Sequence, residues 1–241
     1  KDRVLQRRVA VRMRARGAES HADYAALLER DTREYVALLD TVTINVSKFF
    51  RNASMWMLLR DRVLPELARR DDDEIRIWSA GCASGEEPYS IAILVRQLSE
   101  ARRIDADRVR ILATDVDAGA LEAARRAEYG AFAFSEMADA TRTRWFLGPQ
   151  RDRLRAEVRS MVRFERSDLM NGSLPRDQHL ILCRNVLIYF ERPVQLELFD
   201  KFHHALVPGG YLQLGKVETL FGATSGLFTT VSARERLFQR P

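Results

Sequence analysis

An α/β fold, in which a mainly parallel sheet follows an all-helical N-terminal segment, is expected for this chain on three observations. Residues 75–98 have the pattern of a buried strand, a small glycine-rich turn and a helix. Two further apolar runs, 109–114 and 179–183, each end in polar residues. Residues 1–70 show helical spacing alone. Because strand, glycine turn and helix form the first crevice of a doubly wound sheet, a ligand site is predicted at the carboxyl ends of the strands.

The composition excludes several classes of protein. Of the 241 residues, 46% are hydrophobic and 30% are charged, which is typical of a soluble globular protein. There is no apolar run long enough to cross a bilayer, and the charged N-terminus shows no secretory signal. Cys82 and Cys183 lie in apolar surroundings, so we expect buried free thiols and a reducing, cytoplasmic compartment. No metal site is predicted, since metal-ligand spacing is absent around His21, His179, His203 and His204.

The N-terminal segment is predicted to be a small helical bundle with a basic face. Leu5, Val9 and Met13 form an apolar stripe at helical spacing, and Gly17 ends that helix. The formal net charge of the chain is +5, and arginines flank the stripe on both sides: Arg3, Arg7 and Arg14 on one, Arg8, Arg12 and Arg16 on the other. This face is either a solvated surface or a docking face for an acidic partner, and the sequence leaves both interpretations open.

Capping residues and a charged joint organise the rest of the N-terminal part. Ser20 is a plausible N-cap for a second helix, and Asp31 with Glu34 resembles a capping box for a third. Pro65 is expected to kink or shorten a further helix. The charged run 69–73 predicts a domain boundary, which gives a helical domain at 1–70 and an α/β domain at 71–241.

The glycine turn after the first strand lacks the features of a phosphate site. It has no lysine, and Glu86 and Glu87 occupy the start of the helix, where a phosphate would otherwise bind. Two carboxylates there favour a ligand that is cationic or rich in hydroxyl groups. Asp115 follows the second strand, where a carboxylate can accept hydrogen bonds from a ribose diol, and Asp117 is interpreted as the N-cap of the next helix. Which acid of each pair binds the ligand stays open.

Three strings of residues resemble one family. The turn Gly-Cys-Ala-Ser-Gly-Glu-Glu-Pro-Tyr-Ser at 81–90 resembles the S-adenosylmethionine loop of the chemotaxis-receptor glutamate O-methyltransferases, the CheR family. The string Cys-Arg-Asn-Val-Leu-Ile-Tyr-Phe at 183–190 is a second match. The segment 43–51 is similar to the family's Thr-Asn-x-Thr-x-Phe-Phe-Arg, with Ser47 in place of a threonine. The resemblance covers essentially the whole chain and implies an N-terminal all-α domain followed by a Rossmann-like class I S-adenosylmethionine-dependent methyltransferase domain.

The resemblance also implies a small antiparallel β-subdomain insert, at about 145–166. Residues 153–158 and 161–166 alternate apolar and charged side chains, as half-exposed strands do, and Gly148-Pro149 marks a turn before them. In some members of the family, a loop of this subdomain binds an aromatic pentapeptide at the receptor C-terminus. Here the connection 145–153 is short and holds one glycine, so we expect no pentapeptide tether.

The family's cofactor-binding residues are carried over by position. Glu87 is implied as an acidic ligand of S-adenosylmethionine, and Arg51 as the partner of its methionyl carboxylate. Asp168 is implied at the adenine amino group, although a turn or cap residue fits the sequence equally well there. The implied cofactor set is Asn45, Ser47, Arg51, Gly81, Glu87, Asp115, Asp168, Leu169, Arg184 and Asn185.

Two residues after the most apolar strand are implied to be catalytic. Arg184 and Tyr189 would lie near the transferred methyl group and the incoming glutamate. Arg184 is expected to orient that carboxylate by a fork contact, and Tyr189 to shape the pocket and donate a hydrogen bond. Polar residues directly after a buried strand are costly to leave unpaired, so partners are expected for them in any case.

The activity implied is methyl transfer from S-adenosylmethionine to glutamate carboxylates of a chemoreceptor, with the basic N-terminal helix docking on the receptor's helical bundle. Two alternatives stay open: a methyltransferase acting on nucleic acid, and a non-catalytic adaptor that binds S-adenosylmethionine. Against nucleic acid, the basic helix has no interleaved aromatic residues for base stacking. The segment after the central strand also lacks the Asn/Asp-Pro-Pro-aromatic string of base amino-methyltransferases. Neither a nucleic-acid partner nor membrane insertion is predicted.

Overall fold

The computed structural model describes residues 2–42 and 47–241 of the chain. It consists of two compact units, Lys1–Val46 and Ser47–Pro241. Cys82 and Cys183 are both free and buried, as predicted. Among the described residues, no helix has the length and apolar character that a membrane span requires.

The N-terminal unit contains three helices: α1 (Asp2–Arg16), α2 (His21–Arg30) and α3 (Thr32–Val42). Gly17, with a φ of +66°, directly follows α1. The Ser20 side chain accepts a hydrogen bond from the N–H of Asp23, which confirms it as the N-cap of α2. Asp31 Oδ1 accepts from the N–H groups of Arg33 and Glu34 at 3.0 and 3.1 Å and caps α3 in the same way.

Glu34 does not complete a capping box but anchors a cluster inside this unit. It is 2% exposed, its Oε1 accepts from the hydroxyl of Tyr24 at 2.7 Å, and Arg12 donates to both of its oxygens. Arg16 pairs with Glu34 and Asp31. The hydrogen bond from Arg12 holds the pKa of Glu34 below its ordinary value. Arg12 and Arg16, two arginines of the second flank, therefore stabilise the fold of this unit, because they pair with acidic side chains of the same unit.

The second unit opens with a helical segment that belongs to its core. It comprises α4 (Ala53–Leu58), a π-helical turn (Leu59–Val63) and α5 (Leu64–Ala68). The π-helical turn ends at Val63, two residues before Pro65, which has no N–H to continue the α-helical pattern. The helical segment continues to Ala68, so the kink expected at Pro65 stays a prediction. Phe49, Met55 and Leu59 are fully buried in the same apolar cluster as the sheet. The boundary expected near residue 70 is therefore wrong: the units divide after Val46, because burial of these side chains joins residues 47–70 to the α/β part.

In the described part of the chain, nine strands form two sheets. They are β1 (Ile75–Ala80), β2 (Val109–Asp115), β3 (Phe146–Leu147), β4 (Arg153–Leu154), β5 (Val162–Arg166), β6 (Gln178–Cys183), β7 (Leu206–Leu214), β8 (Thr229–Ser232) and β9 (Leu237–Gln239). The large sheet has the order β5-β2-β1-β6-β7-β9-β8, in which β9 is antiparallel to β7 and β8, and the other neighbours are parallel. The chain moves outward from β1 to β2 and returns to β6 on the other side. This reversal creates a switch-point crevice at the carboxyl ends of β1 and β6.

Helices and short 3₁₀ turns connect the strands. The remaining helices are α6 (Glu86–Glu100), α7 (Ala118–Arg126), α8 (Asp139–Trp145), α9 (Ala156–Arg159) and α10 (Arg192–Ala205). Two large apolar clusters divide the interior of this unit: one contains Ile77 and residues of α6, and the other contains Trp78 and Phe202 of α10. Neighbouring side chains of β1 thus face opposite sides of the sheet, and both sides are covered, which explains the near-continuous apolar sequence of this strand.

The antiparallel insert is smaller than the sequence indicated. Within residues 145–166, β3 and β4 pair in antiparallel fashion through two residues each. Residues 156–159 form α9 instead of a strand, and β5 joins the large sheet in parallel with β2. The alternation in 161–166 reflects an edge strand with one covered face: Phe164 packs on the ring of Tyr89 from α6 at a centroid distance of 5.4 Å. The expected subdomain at 145–166 is therefore confined to the hairpin.

Candidate active site

The predicted site residues of the second unit gather at one edge of the large sheet. Gly81 follows β1, Asp115 ends β2, and Arg184 follows β6. These three strands are neighbours in the sheet and run parallel, so their carboxyl ends lie side by side. The structure thus brings together residues that lie far apart in the sequence, at the position where ligands bind in open α/β sheets.

The turn after β1 requires its glycines. Gly81 has a φ of +78°, and a Cβ there would lie 2.4 Å from Cγ2 of Val186 in the loop after β6. The N–H groups of Gly81 and Cys82 both donate to the carbonyl of Thr114 on β2, at 2.8 and 3.0 Å. A larger side chain at position 81 would force the two loops apart, so this glycine sets how closely they approach.

Glu87 is buried at the start of α6 and holds two partners. Its Oε1 accepts a hydrogen bond from the hydroxyl of Ser79 at 2.8 Å, and its Oε2 accepts from Nη1 of Arg184 at 3.0 Å. The hydroxyl and the guanidinium offset the cost of burying the carboxylate. The acidic ligand that the resemblance implies is therefore a rigid group of fixed orientation.

Arg184 is committed to the protein itself. Its side chain is 4% exposed, and Nη2 donates to the carbonyl of Arg51 at 2.9 Å and to Oδ1 of Asn52 at 2.8 Å. Its guanidinium also lies 5.8 Å from the ring centroid of Trp56. The fork contact to an incoming carboxylate is therefore a prediction that this geometry does not support, because protein acceptors engage both terminal nitrogens. Arg184 instead joins the loop after β6 to Glu87 and to residues 51–52.

Residues 47–52 are tied to the start of α6. The N–H of Phe50 donates to Oγ of Ser90 at 3.0 Å. Burial raises the pKa of Glu86, and the nearby hydroxyl of Ser47 acts in the opposite direction. Phe50 and Asn52 have φ values of +54° and +66°, which is strained backbone for residues other than glycine. Arg51 is half-buried between them. Of the cofactor residues implied in this region, Asn45 lies outside the described residues.

Glu86 is buried and Asp115 is half-buried, and within residues 2–42 and 47–241 neither forms a salt bridge with a cationic side chain. The hydroxyl of Ser84 donates to Glu86. Asp115 accepts from the N–H of Ala83 at 2.8 Å and that of Asp117 at 3.0 Å. Burial raises the pKa of both carboxyl groups. Asp117 accepts from the N–H of Ala120 at 3.0 Å, which confirms it as the N-cap of α7 and leaves Asp115 as the candidate for a diol.

The side chain of Asp168 accepts hydrogen bonds within the turn that follows β5. Its Oδ1 accepts from the N–H of Met170 at 2.8 Å, and its Oδ2 accepts from the side-chain amide of Asn171 at 2.9 Å. The backbone bond from Met170 lowers the pKa of this carboxyl group. Leu169 is buried against the cluster that contains Trp78. These contacts favour the alternative interpretation of Asp168 as a turn residue, although each carboxylate oxygen can accept a further hydrogen bond.

The loop after β6 presents Asn185 and Tyr189. Asn185 has a φ of +61°, and Tyr189 ends a 3₁₀ turn (Leu187–Tyr189). The buried side chain of Leu187 anchors this turn, whereas Tyr189 is 54% exposed. Tyr189 thus stands at the rim of the site, where its hydroxyl is accessible to a macromolecular substrate.

Sequence reasoning missed Ser79, Asn52 and Glu218. Ser79 and Asn52 contact Glu87 and Arg184 as described above. Glu218, in the loop after β7, accepts a hydrogen bond from the N–H of Asn185 at 2.9 Å. One signal could have revealed it: like Arg184, Glu218 is a charged residue shortly after a buried strand of the same sheet.

The chemistry of these residues fits S-adenosylmethionine. Glu87 and Asp115 at adjacent strand tips suit an ammonium group and a ribose diol, and the acids at the start of α6 disfavour a phosphate. In the described part of the chain, no three His, Cys, Asp or Glu side chains are grouped so that they could hold a metal ion.

Comparison with known proteins agrees with this chemistry. The family model described as "CheR methyltransferase, SAM binding domain" matches residues 45–237, and "CheR methyltransferase, all-alpha domain" matches residues 1–43. A chemotaxis protein methyltransferase of Borreliella burgdorferi is 32% identical over 229 residues, which cover 91% of this chain and 81% of that protein. One from Listeria innocua is 36% identical, covering 84% and 76%. Chemotaxis protein methyltransferase 2 of Pseudomonas aeruginosa is 33% identical, covering 93% and 81%.

The two family matches meet within residues that the structure does not describe, directly before the second unit begins at Ser47. Together they cover nearly the whole chain, and the relatives match most of it. Both the fold and the acids at the strand tips agree with the description of a domain that binds S-adenosylmethionine. The chain therefore belongs to the CheR methyltransferase family and is an S-adenosylmethionine-dependent methyltransferase.

Proposed function

We propose that this protein transfers the methyl group of S-adenosylmethionine to glutamate side chains in the cytoplasmic domain of a chemoreceptor, giving methyl esters that support sensory adaptation. The observation that carries this proposal is the pair of acids formed by buried Glu87, at the start of α6, and half-buried Asp115, at the end of β2, in a chain of this family. The names of the relatives support the chemoreceptor as substrate. The same function places the protein in the cytoplasm.

The cofactor would lie across the tips of β1, β2 and β6. Glu87 accepts hydrogen bonds from its ammonium group, and Asp115 accepts from its ribose hydroxyls. Gly81 allows the backbone to approach closely, and Arg51 pairs with the methionyl carboxylate. Contacts to the remainder of the cofactor come from Asn45, Ser47, Asp168, Leu169, Arg184 and Asn185.

The reaction requires alignment more than acid–base chemistry. S-adenosylmethionine supplies a methyl group on a positively charged sulfur. A glutamate oxygen of the substrate attacks the methyl carbon, and the electrons of the carbon–sulfur bond leave with the sulfur, so S-adenosylhomocysteine is the product. No strong base is needed, because the nucleophile is already an anion. Tyr189 at the rim donates a hydrogen bond to the substrate, and Arg184 keeps Glu87 and residues 51–52 in place.

The receptor would dock on the exposed basic flank of α1. Arg7 and Arg14 are exposed there, whereas Arg12 and Arg16 pair with acids inside the unit. An acidic helical bundle complements this flank. Raising the salt concentration should weaken the complex, and salt-independent binding would contradict electrostatic docking. The β3–β4 connection is only five residues long, 148–152, which supports an enzyme that does not depend on a pentapeptide tether.

A labelled-methyl assay tests the proposal. The protein is incubated with methyl-labelled S-adenosylmethionine and either receptor-containing membranes or RNA, and calorimetry measures cofactor binding in parallel. We expect base-labile methyl esters on receptor glutamates and no label on RNA. Label on RNA would favour the nucleic-acid alternative. Cofactor binding without label on either substrate would favour the adaptor.

A further inference from the structure

Glu218 bridges the loops after two neighbouring strands. It follows β7, and Arg184 and Asn185 follow β6, its neighbour in the sheet. The single oxygen Oε2 of Glu218 accepts hydrogen bonds from the N–H of Asn185 at 2.9 Å and from the N–H of Gly215 at 2.7 Å. The residue is 5% exposed. The buried carboxylate of Glu218 thus accepts hydrogen bonds from backbone N–H groups just past the ends of β6 and β7, where the pairing between the two strands stops.

The geometry around this carboxylate is tight. A Cβ added at Gly215 would lie 2.6 Å from Oε2 of Glu218 and 2.9 Å from the backbone nitrogen of Asn185. Asn185 itself has a φ of +61°, in the left-handed region that asparagine adopts more readily than most residues other than glycine. The carboxylate therefore holds the backbone at the start of the turn that ends at Tyr189.

We propose that Glu218 is a positioning residue for methyl transfer: by hydrogen-bonding the backbone of the loop 184–189, it fixes where Asn185 and Tyr189 stand relative to the strand tips. Its role for methyl transfer rests on the function proposed above, whereas its role in ordering the loop does not. Glu218 acts through the backbone and does not touch the reacting atoms.

The two oxygens of Glu218 differ, which allows a sharp choice of variants. Oε2 accepts both backbone bonds, whereas Oε1 is buried and accepts no hydrogen bond from the residues that the structure describes. Burial is also the main cause that raises the pKa of this group. A glutamine can place its carbonyl oxygen at Oε2 and keep the shape of the side chain. The Glu218→Gln variant should therefore preserve the loop, and Glu218→Ala should release it.

Hydrogen exchange tests the ordering directly, without a substrate. In Glu218→Ala we expect the amides of Asn185 and Gly215 to exchange about tenfold faster or more, because each loses a charge-assisted bond. Amides in 81–90 should keep their wild-type rates. The control is Glu66→Gln, because Glu66 accepts a hydrogen bond from Tyr211 of the same strand, β7, outside the two loops. Unchanged exchange at 185 and 215 in a folded Glu218→Ala protein would overturn the inference.

Kinetics test the consequence for methyl transfer. Glu218→Ala should lower kcat by about 10- to 100-fold, the effect of a misplaced reacting group. Its Kd for S-adenosylmethionine should rise by a smaller factor than kcat falls, since Glu87 on α6 and Asp115 on β2 lie outside the loop that Glu218 orders. Glu218→Gln should recover most of the kcat. A Glu218→Gln variant as impaired as Glu218→Ala, or a wild-type kcat in Glu218→Ala, would overturn the positioning role. If the wild type itself methylates no receptor, the proposed function fails, while the exchange result still decides the ordering role.

Discussion

Each unit of this protein contains a buried glutamate bonded to an arginine, and the two pairs differ in what surrounds them. Glu34 accepts from Arg12 and Tyr24 inside a helical bundle and links its three helices. Glu87 accepts from Arg184 and Ser79 at the tip of a strand, beside a glycine turn. The chemistry of the pair is thus the same in both places. Its position at the carboxyl edge of a parallel sheet distinguishes a candidate ligand from a structural contact.

Exchanging each glutamate for alanine should separate the two roles most strongly. We expect Glu87→Ala to raise the Kd for S-adenosylmethionine by about 100-fold or more, because a buried hydrogen bond to a cationic group is lost. Glu34→Ala should leave that Kd within about threefold of wild type, since it lies in the other unit. Isothermal titration calorimetry on both folded variants measures the difference. Equal losses of affinity would remove the distinction between the two pairs.

The next largest difference is expected between the two arginines, in how much each contributes to the free energy of unfolding. Arg184→Ala leaves Glu87 buried with an unmatched charge, which costs about 3–5 kcal/mol of unfolding free energy. The side chain of Arg12 is 23% exposed and Arg16 also pairs with Glu34, so Arg12→Ala should cost only about 1 kcal/mol. Urea unfolding followed by tryptophan fluorescence reports on the second unit, because it contains Trp56, Trp78 and Trp145. Circular dichroism follows the helical unit. A cost for Arg12→Ala as large as that for Arg184→Ala would contradict this ranking.

Asp115→Asn should have a smaller effect on the cofactor than Glu87→Ala. The amide keeps one oxygen that can accept from a ribose hydroxyl, so we expect affinity for S-adenosylmethionine to fall by about tenfold. Asp117→Asn is the matched control, because Asn is also a good N-cap and should leave affinity unchanged. A larger loss for Asp117→Asn than for Asp115→Asn would reverse the roles given to the two residues.

The smallest expected effect is on how the stability contributed by Glu34 depends on pH. Because Arg12 lowers the pKa of Glu34 in the folded protein, ionised Glu34 contributes stability above the pKa of an unfolded glutamate, and this contribution disappears as the pH falls through the folded pKa. The stability difference between wild type and Glu34→Gln should therefore be constant near neutral pH and shrink below about pH 4.3. Denaturant titrations at a series of pH values measure it. A difference that grows on acidification would contradict the sign.

Local features of the fold could be predicted from the sequence, and pairings between distant segments could not. Ser20 and Asp117 cap helices a few residues away, so the pattern around each is sufficient. The direction of β5 depends on its partner β2, whose paired residues lie 51 positions earlier, and the pattern of alternation is the same in parallel and antiparallel edge strands. The domain boundary was misplaced for a related reason: only the folded structure shows that Phe49 packs against the sheet unit.

In the candidate site too, local features could be predicted from the sequence and contacts between distant segments could not. Glu87 and Asp115 could be named because each follows a strand whose end is visible in the sequence. The hydrogen bond between Arg184 and Asn52, which leaves the expected fork contact without support from the geometry, joins residues 132 positions apart. Glu218 escaped notice although it too follows a buried strand, because its partner is a backbone N–H, and backbone donors leave no mark in a sequence pattern.

A crystal structure of the protein with S-adenosylhomocysteine tests the assignment of the strand tips most directly. We expect the amino group of the ligand within hydrogen-bond distance of the Glu87 carboxylate, and its ribose hydroxyls on Asp115. A ligand bound away from these two carboxylates, or with its ribose on Asp117 and its amino group on Glu86, would contradict the assignment.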